Sequence, residues 1–267
     1  MPLAKLGLGI LLAASIAALA YRVKALTAGG SAAAAVVGAI TFAGGGVAAA
    51  VLMVIFFTSA TLLTRVGGNA KRIAESGYAK GGRRDAAQVL ANGGVAAALS
   101  AAFGFEGSSV WWAGIVGALA ASTADTWATE LGGLSRIWPR RITTGQRVAP
   151  GTSGGVTPLG LAGAAAGSGL IGVTAAWLGS DLSLGWIAAA AGLGAALFDS
   201  LLGATVQAMY FCPACGMETE QSPRHRCGSP TRYQRGIRRL NNDGVNFLAT
   251  AMGAALAMSI AVVRRSA

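Results

Sequence analysis

Long apolar runs separated by short polar and basic segments dominate the chain. Most of them have the length of about 20 residues that an α-helix needs to cross roughly 30 Å of hydrocarbon. The runs lie at residues 3–19, 29–43, 47–63, 86–104, 109–132, 156–179, 184–207 and 245–263. The pattern predicts an all-α, polytopic membrane protein of about eight transmembrane helices, with residues 1–267 forming a single integral membrane domain.

The second and third runs are the weakest of the eight. Gly44, Gly45 and Gly46 interrupt them, and the second run is short for a full crossing. A re-entrant helical hairpin is therefore the competing interpretation. Both interpretations return the chain to the side from which it came, so they place all later loops identically.

Basic residues are concentrated in alternate connections. The chain has 21 lysine and arginine residues, and 18 of them lie in segments 21–28, 65–85, 134–155 and 208–244. Because basic loops stay on the cytoplasmic side, these segments are expected to be cytosolic and the protein to lie in a prokaryotic inner or plasma membrane. The net charge of +11 follows from this bias, so no nucleic acid is expected as a partner.

Composition supports the membrane assignment and excludes a large soluble core. Hydrophobic residues make up 54% of the chain and charged residues 12%, whereas a soluble domain has about 25% charged residues. The chain also has 40 glycines. Helices of this kind are expected to pack closely through small residues, since lipid supplies no hydrophobic drive for their association.

Acidic residues in or beside the apolar runs mark the candidate chemistry. Asp125 and Asp199 lie about two turns inside their helix ends. An ionisable group is energetically unfavourable there, so its presence indicates a functional site. Glu130 lies at an inner helix end and could simply be interfacial. Asp85 and Asp243 open runs at the same face, where each could complement a helix dipole. Because this polarity stops halfway across the membrane, the pattern favours a one-sided site.

Asp125 and Asp199 are also candidate metal ligands. Carboxylates with neighbouring hydroxyls, here Ser122, Thr126 and Ser200, can hold Mg²⁺ together with phosphate oxygens and water. The two carboxylates are therefore expected to face each other across one Mg²⁺–phosphate site.

A loop rich in glycine and hydroxyl groups leads into the sixth run. Its members are Gly151, Thr152, Ser153, Gly154 and Gly155. Backbone amides of such a loop can bind an anion at a helix N-terminus, although the loop lacks the ending of a P-loop and could be a flexible turn. Nearby cations, including Arg84 and Arg147, could neutralise phosphate, or serve topology and contacts with anionic lipid.

All three cysteines lie in one loop, residues 209–243, between the last two runs. Cys212, Cys215, His225 and Cys227 form the spacing Cys-x2-Cys-x9-His-x-Cys, which predicts a structural zinc site with free thiols as the alternative. A stable disulfide is not expected at a reducing face. Four protein ligands leave no open coordination position, so zinc would staple this cytosolic loop and would not be the catalyst.

Five motifs follow one another along the chain. They are Gln88-Val-Leu-Ala-Asn92-Gly, Ala124-Asp125-Thr-Trp-Ala-Thr-Glu130-Leu-Gly, Pro150-Gly-Thr-Ser-Gly-Gly-Val156-Thr, Asp199-Ser-Leu-Leu-Gly-Ala-Thr-Val-Gln207 and Asn241-Asn-Asp243-Gly-Val-Asn246. Their order and spacing resemble the motif series of the phytyl-phosphate kinase family over roughly residues 3–263. The Cys/His loop resembles that of many prokaryotic members and is absent from plant members, so it is not expected to be essential to the chemistry.

The resemblance implies a Mg²⁺-dependent polyprenyl-phosphate kinase. Its substrate would be an isoprenoid monophosphate of the phytyl or geranylgeranyl type, converted to the diphosphate with CTP or ATP as donor. The motif match implies catalytic roles for Asp125, Glu130, Asp199 and Asp243. The substrate or phosphate contacts that it implies are those of Asn92, the loop 151–155, Gln207, Asn242 and Asn246.

Two other function classes remain as alternatives. A lipid or small-molecule transporter could use the half-buried acids as coupling sites, but the one-sided polarity counts against it. A noncatalytic scaffold that recruits partners through the Cys/His loop would leave Asp125 and Asp199 unexplained.

Overall fold

The structure, a computed structural model, describes residues 3–68, 71, 74, 76–179 and 181–266, with side chains from residue 7 onward. Its described residues form seven helices and five short strands. The helices are α1 (Leu3–Arg22), α2 (Ala28–Arg65), α3 (Ala86–Glu106), α4 (Ser109–Gly132), α5 (Pro158–Gly179), α6 (Ser183–Thr205) and α7 (Asn242–Ser266). The strands are β1 (Arg140–Arg141), β2 (Gly155–Val156), β3 (Met209–Cys212), β4 (Met217–Thr219) and β5 (Arg232–Arg235).

The sequence predicts eight helices, and the described residues form seven helical elements, because the second and third runs form the two halves of a helical hairpin, α2. This element folds back at Gly46, whose φ of 69° and ψ of −164° are not helical. The Thr41 hydroxyl lies 3.7 Å from the Met53 sulfur, although a straight helix would separate these residues by about 18 Å. The two halves of α2 therefore run side by side in opposite directions.

Arg84 holds the two ends of α2 together. Its carbonyl accepts a hydrogen bond from the Thr27 amide at 3.0 Å, and its guanidinium donates to the Thr61 hydroxyl at 3.1 Å. The guanidinium of Arg65, the last residue of α2, donates to the Val23 carbonyl at 2.7 Å. The chain thus leaves α2 at the end where it entered, as both sequence interpretations require.

Helix α4 is the centre of the bundle. Its residues 113–124 are buried on every side, among α2, α3, α5, α6 and α7. A Cβ atom added to Gly117 would lie 2.4 Å from the Gly253 carbonyl oxygen of α7, and one added to Gly163 of α5 would lie 2.8 Å from the Trp127 carbonyl oxygen. Small residues therefore allow the helix backbones to approach closely, as expected of packing in a membrane.

Among the described helices, α2, α3, α5, α6 and α7 are long and apolar enough to cross a membrane. The apolar part of α1, Gly7–Arg22, is shorter. Residues 22–28, 76–86, 132–158 and 205–242 meet at one end of the bundle, here called the basic end. At the opposite end the Arg265 guanidinium donates to the Ser109 hydroxyl and Arg264 approaches Asp181 at 3.9 Å.

The short strands correct the all-α prediction. Strands β1 and β2 pair antiparallel, with Arg140 opposite Val156. Strands β4, β3 and β5 form an antiparallel sheet in that order, within residues 209–235, here called the Cys/His subdomain. Strands of two to four residues are too short for a period-two pattern to stand out in the sequence.

Candidate active-site cavity

A cavity of about 480 Å³ opens at the basic end of the bundle. The ends of α2 to α7, the loop 151–155 and part of the Cys/His subdomain surround it. Most of the residues expected at the site from sequence line it: Arg84, Asn92, Asp125, Glu130, Gly151, Thr152, Ser153, Gly154, Gly155, Asp199, Asn242, Asp243 and Asn246. Residues distant in the sequence therefore meet in one water-accessible space.

Asp125 of α4 and Asp199 of α6 face this common space. Thr126 and Ser200 line the cavity beside them. The Asn246 amide nitrogen, in the orientation that satisfies its partners, donates to the Asp199 carboxylate at 3.1 Å. Carboxylate and hydroxyl oxygens are the donors that Mg²⁺ prefers, so the residues present fit that ion.

Glu130 has a cationic partner of its own. The Lys71 ammonium lies 2.6 Å from the Glu130 carboxylate, and the Thr64 hydroxyl donates to the same carboxylate. Lys71 is only 3% exposed and also donates to the Leu63 carbonyl at 2.6 Å. The two charges of the pair neutralise each other within the cavity wall. Glu130 therefore has a structural role, whether or not it also takes part in the chemistry.

Lys80 joins two helix N-termini at the cavity mouth. Its ammonium lies 2.8 Å from the Asp85 carboxylate and also pairs with Asp243. Burial tends to lower the pKa of Lys80, but the hydrogen bonds to Asp243 and Asp85 outweigh it and raise the pKa. Asp85 is the N-cap of α3, with the Gln88 amide donating to its carboxylate at 3.0 Å, so the helix-capping interpretation of Asp85 is correct.

The loop 151–155 packs directly against the C-terminal end of α6. Gly151 and Gly154 have φ angles of +83° and +80°, which favour glycine. A Cβ atom at Gly154 would lie 2.5 Å from the Ala204 backbone nitrogen. The Gly160 amide of α5 donates to the Thr157 hydroxyl at 3.0 Å. The loop therefore lies beside the N-terminus of α5, where the Thr157 hydroxyl already accepts from the Gly160 amide.

Three residues proposed from sequence lie outside the cavity lining. Gln207 is 1% exposed, and its side-chain amide hydrogen-bonds to Ser153 and to Glu220. Arg147 is an exposed residue of the connection between β1 and β2. The Ser122 hydroxyl donates to the Asn92 carbonyl at 2.7 Å and contacts the Thr250 hydroxyl at 3.2 Å, so it ties α4 to α3 and α7.

Conversely, the cavity contains charged residues that sequence reasoning passed over. Glu220 and Arg226 reach it from the Cys/His subdomain, and Lys80 reaches it from the preceding basic segment. Burial raises the pKa of Glu220, although hydrogen bonds from the Ala79 amide and Gln207 oppose the shift. In the sequence, Lys80 and Arg226 look like topology determinants, and no pattern distinguishes Glu220 from a solvated acid.

The Cys/His group is assembled as its spacing predicts. The ligand atoms of Cys212, Cys215, His225 and Cys227 lie within 4.8 Å of one another. Cys212 Sγ and Cys227 Sγ are 3.6 Å apart, and Cys215 Sγ and His225 Nδ1 are 3.5 Å apart. The last two separations match the edges of about 3.4 to 3.8 Å in a tetrahedral zinc site, and the whole group spans up to 4.8 Å. The group is therefore compatible with a structural zinc ion.

Packed apolar side chains separate this cavity from the opposite end of the bundle. Ile115, Val116 and Leu119 of α4 are fully buried, together with Leu52 and Ile171. Beyond this layer, a second cavity of about 500 Å³ lies at the opposite end. The carboxylates of the first cavity thus lie on one side of this layer, whereas Asp181, Arg264 and Arg265 line the second cavity.

Membrane-crossing helices around a polar cavity at one end define a polytopic integral membrane protein with a one-sided site. Residues 11–254 match the family described as integral membrane protein DUF92, and the chain belongs to that family. The family resemblance stated from the motif series is confirmed.

Two relatives are similar to this chain over most of its length. The chain is 34% identical to Protein PGR of Arabidopsis thaliana over 216 residues, which is 71% of this chain and 73% of that protein. It is 32% identical to an uncharacterised membrane protein of Methanocaldococcus jannaschii over 179 residues, which is 66% of this chain and 62% of that protein. No solved structure matches the chain.

Proposed function

We propose that this protein is a membrane kinase that transfers a phosphoryl group from a nucleoside triphosphate to an isoprenoid monophosphate, giving the diphosphate. The observation that carries the proposal is the cavity at the basic end, which combines carboxylates, cations and a glycine-rich loop inside a bundle of membrane-crossing helices. A prenyl phosphate suits that location, since its phosphate would lie at the membrane surface and its chain in the bilayer.

The cavity residues match the needs of phosphoryl transfer, which depends on positioning and charge neutralisation. Lys80, Arg84 and the loop 151–155 would offset phosphate charge. Asp125 and Asp199 would hold Mg²⁺, which supplies charge neutralisation on phosphate oxygens when bound. The hydrogen bond from Asn246 would orient the Asp199 carboxylate towards the cavity.

The apolar chain of the substrate would leave the cavity beside Leu161 of α5, which lines the cavity and is 37% exposed. The nucleotide would enter from water at the basic end, which the positive-inside rule assigns to the cytosol. CTP and ATP are the two donors to be compared.

The test is direct. Purified protein in detergent is given phytyl or geranylgeranyl monophosphate, Mg²⁺ and each nucleoside triphosphate, and the lipid diphosphate is measured. We expect turnover that requires both Mg²⁺ and a nucleotide. Absence of diphosphate with every donor, together with net movement of the lipid phosphate across proteoliposomes, would favour the transporter instead.

A further inference from the structure

The Cys/His subdomain grips segment 76–80 through backbone and side-chain hydrogen bonds. The Thr219 hydroxyl and the Glu220 amide both donate to the Gly77 carbonyl, at 3.0 Å and 2.9 Å. The side-chain amide of Gln221 donates to the carbonyls on either side of that one, at 3.1 and 2.8 Å. Thr219 and Gln221 are buried, so these contacts form a buried interface between the subdomain and the segment.

The metal-competent group takes part in the same interface. His225 directs Nδ1 towards Cys215, while its Nε2 lies 3.3 Å from the Ser76 carbonyl oxygen. A metal-bound imidazole commonly donates its other N–H to a backbone carbonyl, which fixes the orientation of the ring. Metal bound at Nδ1 would therefore fix the ring that holds the start of segment 76–80.

A second connection runs from this segment to the glycine-rich loop. The Ala79 amide donates to one Glu220 carboxylate oxygen at 3.2 Å, and the Gln207 side-chain amide donates to the other at 2.8 Å. The Ser153 hydroxyl in turn donates to the Gln207 oxygen at 3.0 Å. We call this chain of three hydrogen bonds the Glu220 relay.

Both ends of the relay belong to the cavity wall. Segment 76–80 ends at Lys80, whose ammonium pairs with Asp85 and Asp243. Ser153 lies in the middle of the loop 151–155, which lines the cavity on another side. A displacement of the Cys/His subdomain would therefore move a cation and the candidate anion-binding loop together.

We propose that the Cys/His subdomain is a metal-dependent clamp that holds segment 76–80 and the loop 151–155 in place, with Glu220 and Gln207 as positioning residues. This assigns the subdomain a part in the site, contrary to the expectation that it is dispensable for the chemistry. The clamp concerns the positions of two backbone segments, so it does not depend on the proposed function. Only the measurement of phosphoryl transfer rests on that function.

Hydrogen exchange of the full-length protein in detergent measures the clamp directly. Removing the metal with a chelator should speed amide exchange at least about tenfold in residues 76–80 and 151–155, since protection reflects the free energy of local opening. Gln221→Ala should retain the metal, measured by elemental analysis, yet speed exchange in 76–80. Arg224→Ala is the matched control. Among the described residues, the Arg224 guanidinium bonds to the Gly228 carbonyl within the subdomain, so its removal should change neither segment.

A charge swap tests the relay. Gln207→Glu places two carboxylates face to face and should speed exchange in 151–155. Adding Glu220→Gln places a side-chain amide at position 220 opposite the new carboxylate at position 207, so the hydrogen bond can form again. The double variant should therefore return to within about twofold of the native exchange rate, as coupled neighbours do in a double-mutant cycle.

The outcomes separate this proposal from the proposed function. Unchanged exchange in both segments after metal removal, or no rescue in the double variant, overturns the clamp. Faster exchange without any kinase activity in the native protein supports the clamp and leaves the proposed reaction without support. If the native protein is active, chelation should lower phosphoryl transfer even when Mg²⁺ is supplied again without zinc.

Discussion

Single carboxylates carry the chemistry proposed for the cavity. Asp125→Asn and Asp199→Asn keep the side-chain volume but remove the charge that would hold Mg²⁺, so each should lower lipid diphosphate formation at least about 100-fold. Asp181→Asn is the control, because Asp181 lies at the opposite end and accepts from the Ser183 amide at 2.9 Å. Elution as folded protein should be unchanged in all three. Near-native turnover in both inner variants would show that the site is wrong.

The Lys71–Glu130 pair makes a stability prediction at the same scale. Glu130→Gln removes the partner of an ammonium that is 3% exposed, and breaking a buried ion pair costs about 3 to 5 kcal/mol. Thermal unfolding in detergent should shift to lower temperature. Lys71→Met combined with Glu130→Gln leaves no unpaired charge and should recover part of the loss, whereas a purely catalytic Glu130 would leave unfolding unaffected.

At the scale of elements, the bundle depends on how closely its helices approach. A Cβ atom at Gly117 would lie 2.4 Å from both the Ala257 Cβ and the Gly253 carbonyl oxygen, so Gly117→Ala should push α4 away from α7 and lower the unfolding temperature. Gly94 of α3 has no neighbour within 4 Å of the same position. Gly94→Ala should be neutral or stabilise by up to about 1 kcal/mol. Equal unfolding temperatures for the two variants would contradict this packing.

At the scale of the whole molecule, the alternation of connections defines two faces. Leu182→Cys, at an exposed position of the opposite end, should react with an impermeant thiol reagent in intact cells. The native protein should not react, since its three cysteines lie in the Cys/His subdomain at the basic end. Thr144→Cys should react only after permeabilisation. Labelling of the native protein from outside would reverse the proposed orientation.

The amino-acid sequence determined the properties that depend on local composition and spacing. Apolar length predicted the membrane helices and alternating basic loops predicted two faces. Asp125 and Asp199 stood out because a charge is energetically unfavourable in an apolar run, and the Cys/His group stood out by its ligand spacing. The three consecutive glycines also allowed a helical hairpin, and α2 reverses its direction at Gly46.

Only the tertiary structure decided which polar groups meet. Lys80 pairs with Asp243 across 163 residues of sequence, and Thr219 binds Gly77 across 142. Gln207 belongs to a matching motif yet lies outside the cavity lining, while Glu220 belongs to none and lines it. Such partnerships depend on the close packing of helices and on loop paths at the basic end. Helix packing and loop paths are set by contacts between segments that are distant in the sequence. Neither hydrophobic periodicity nor motif spacing can therefore predict which polar groups meet.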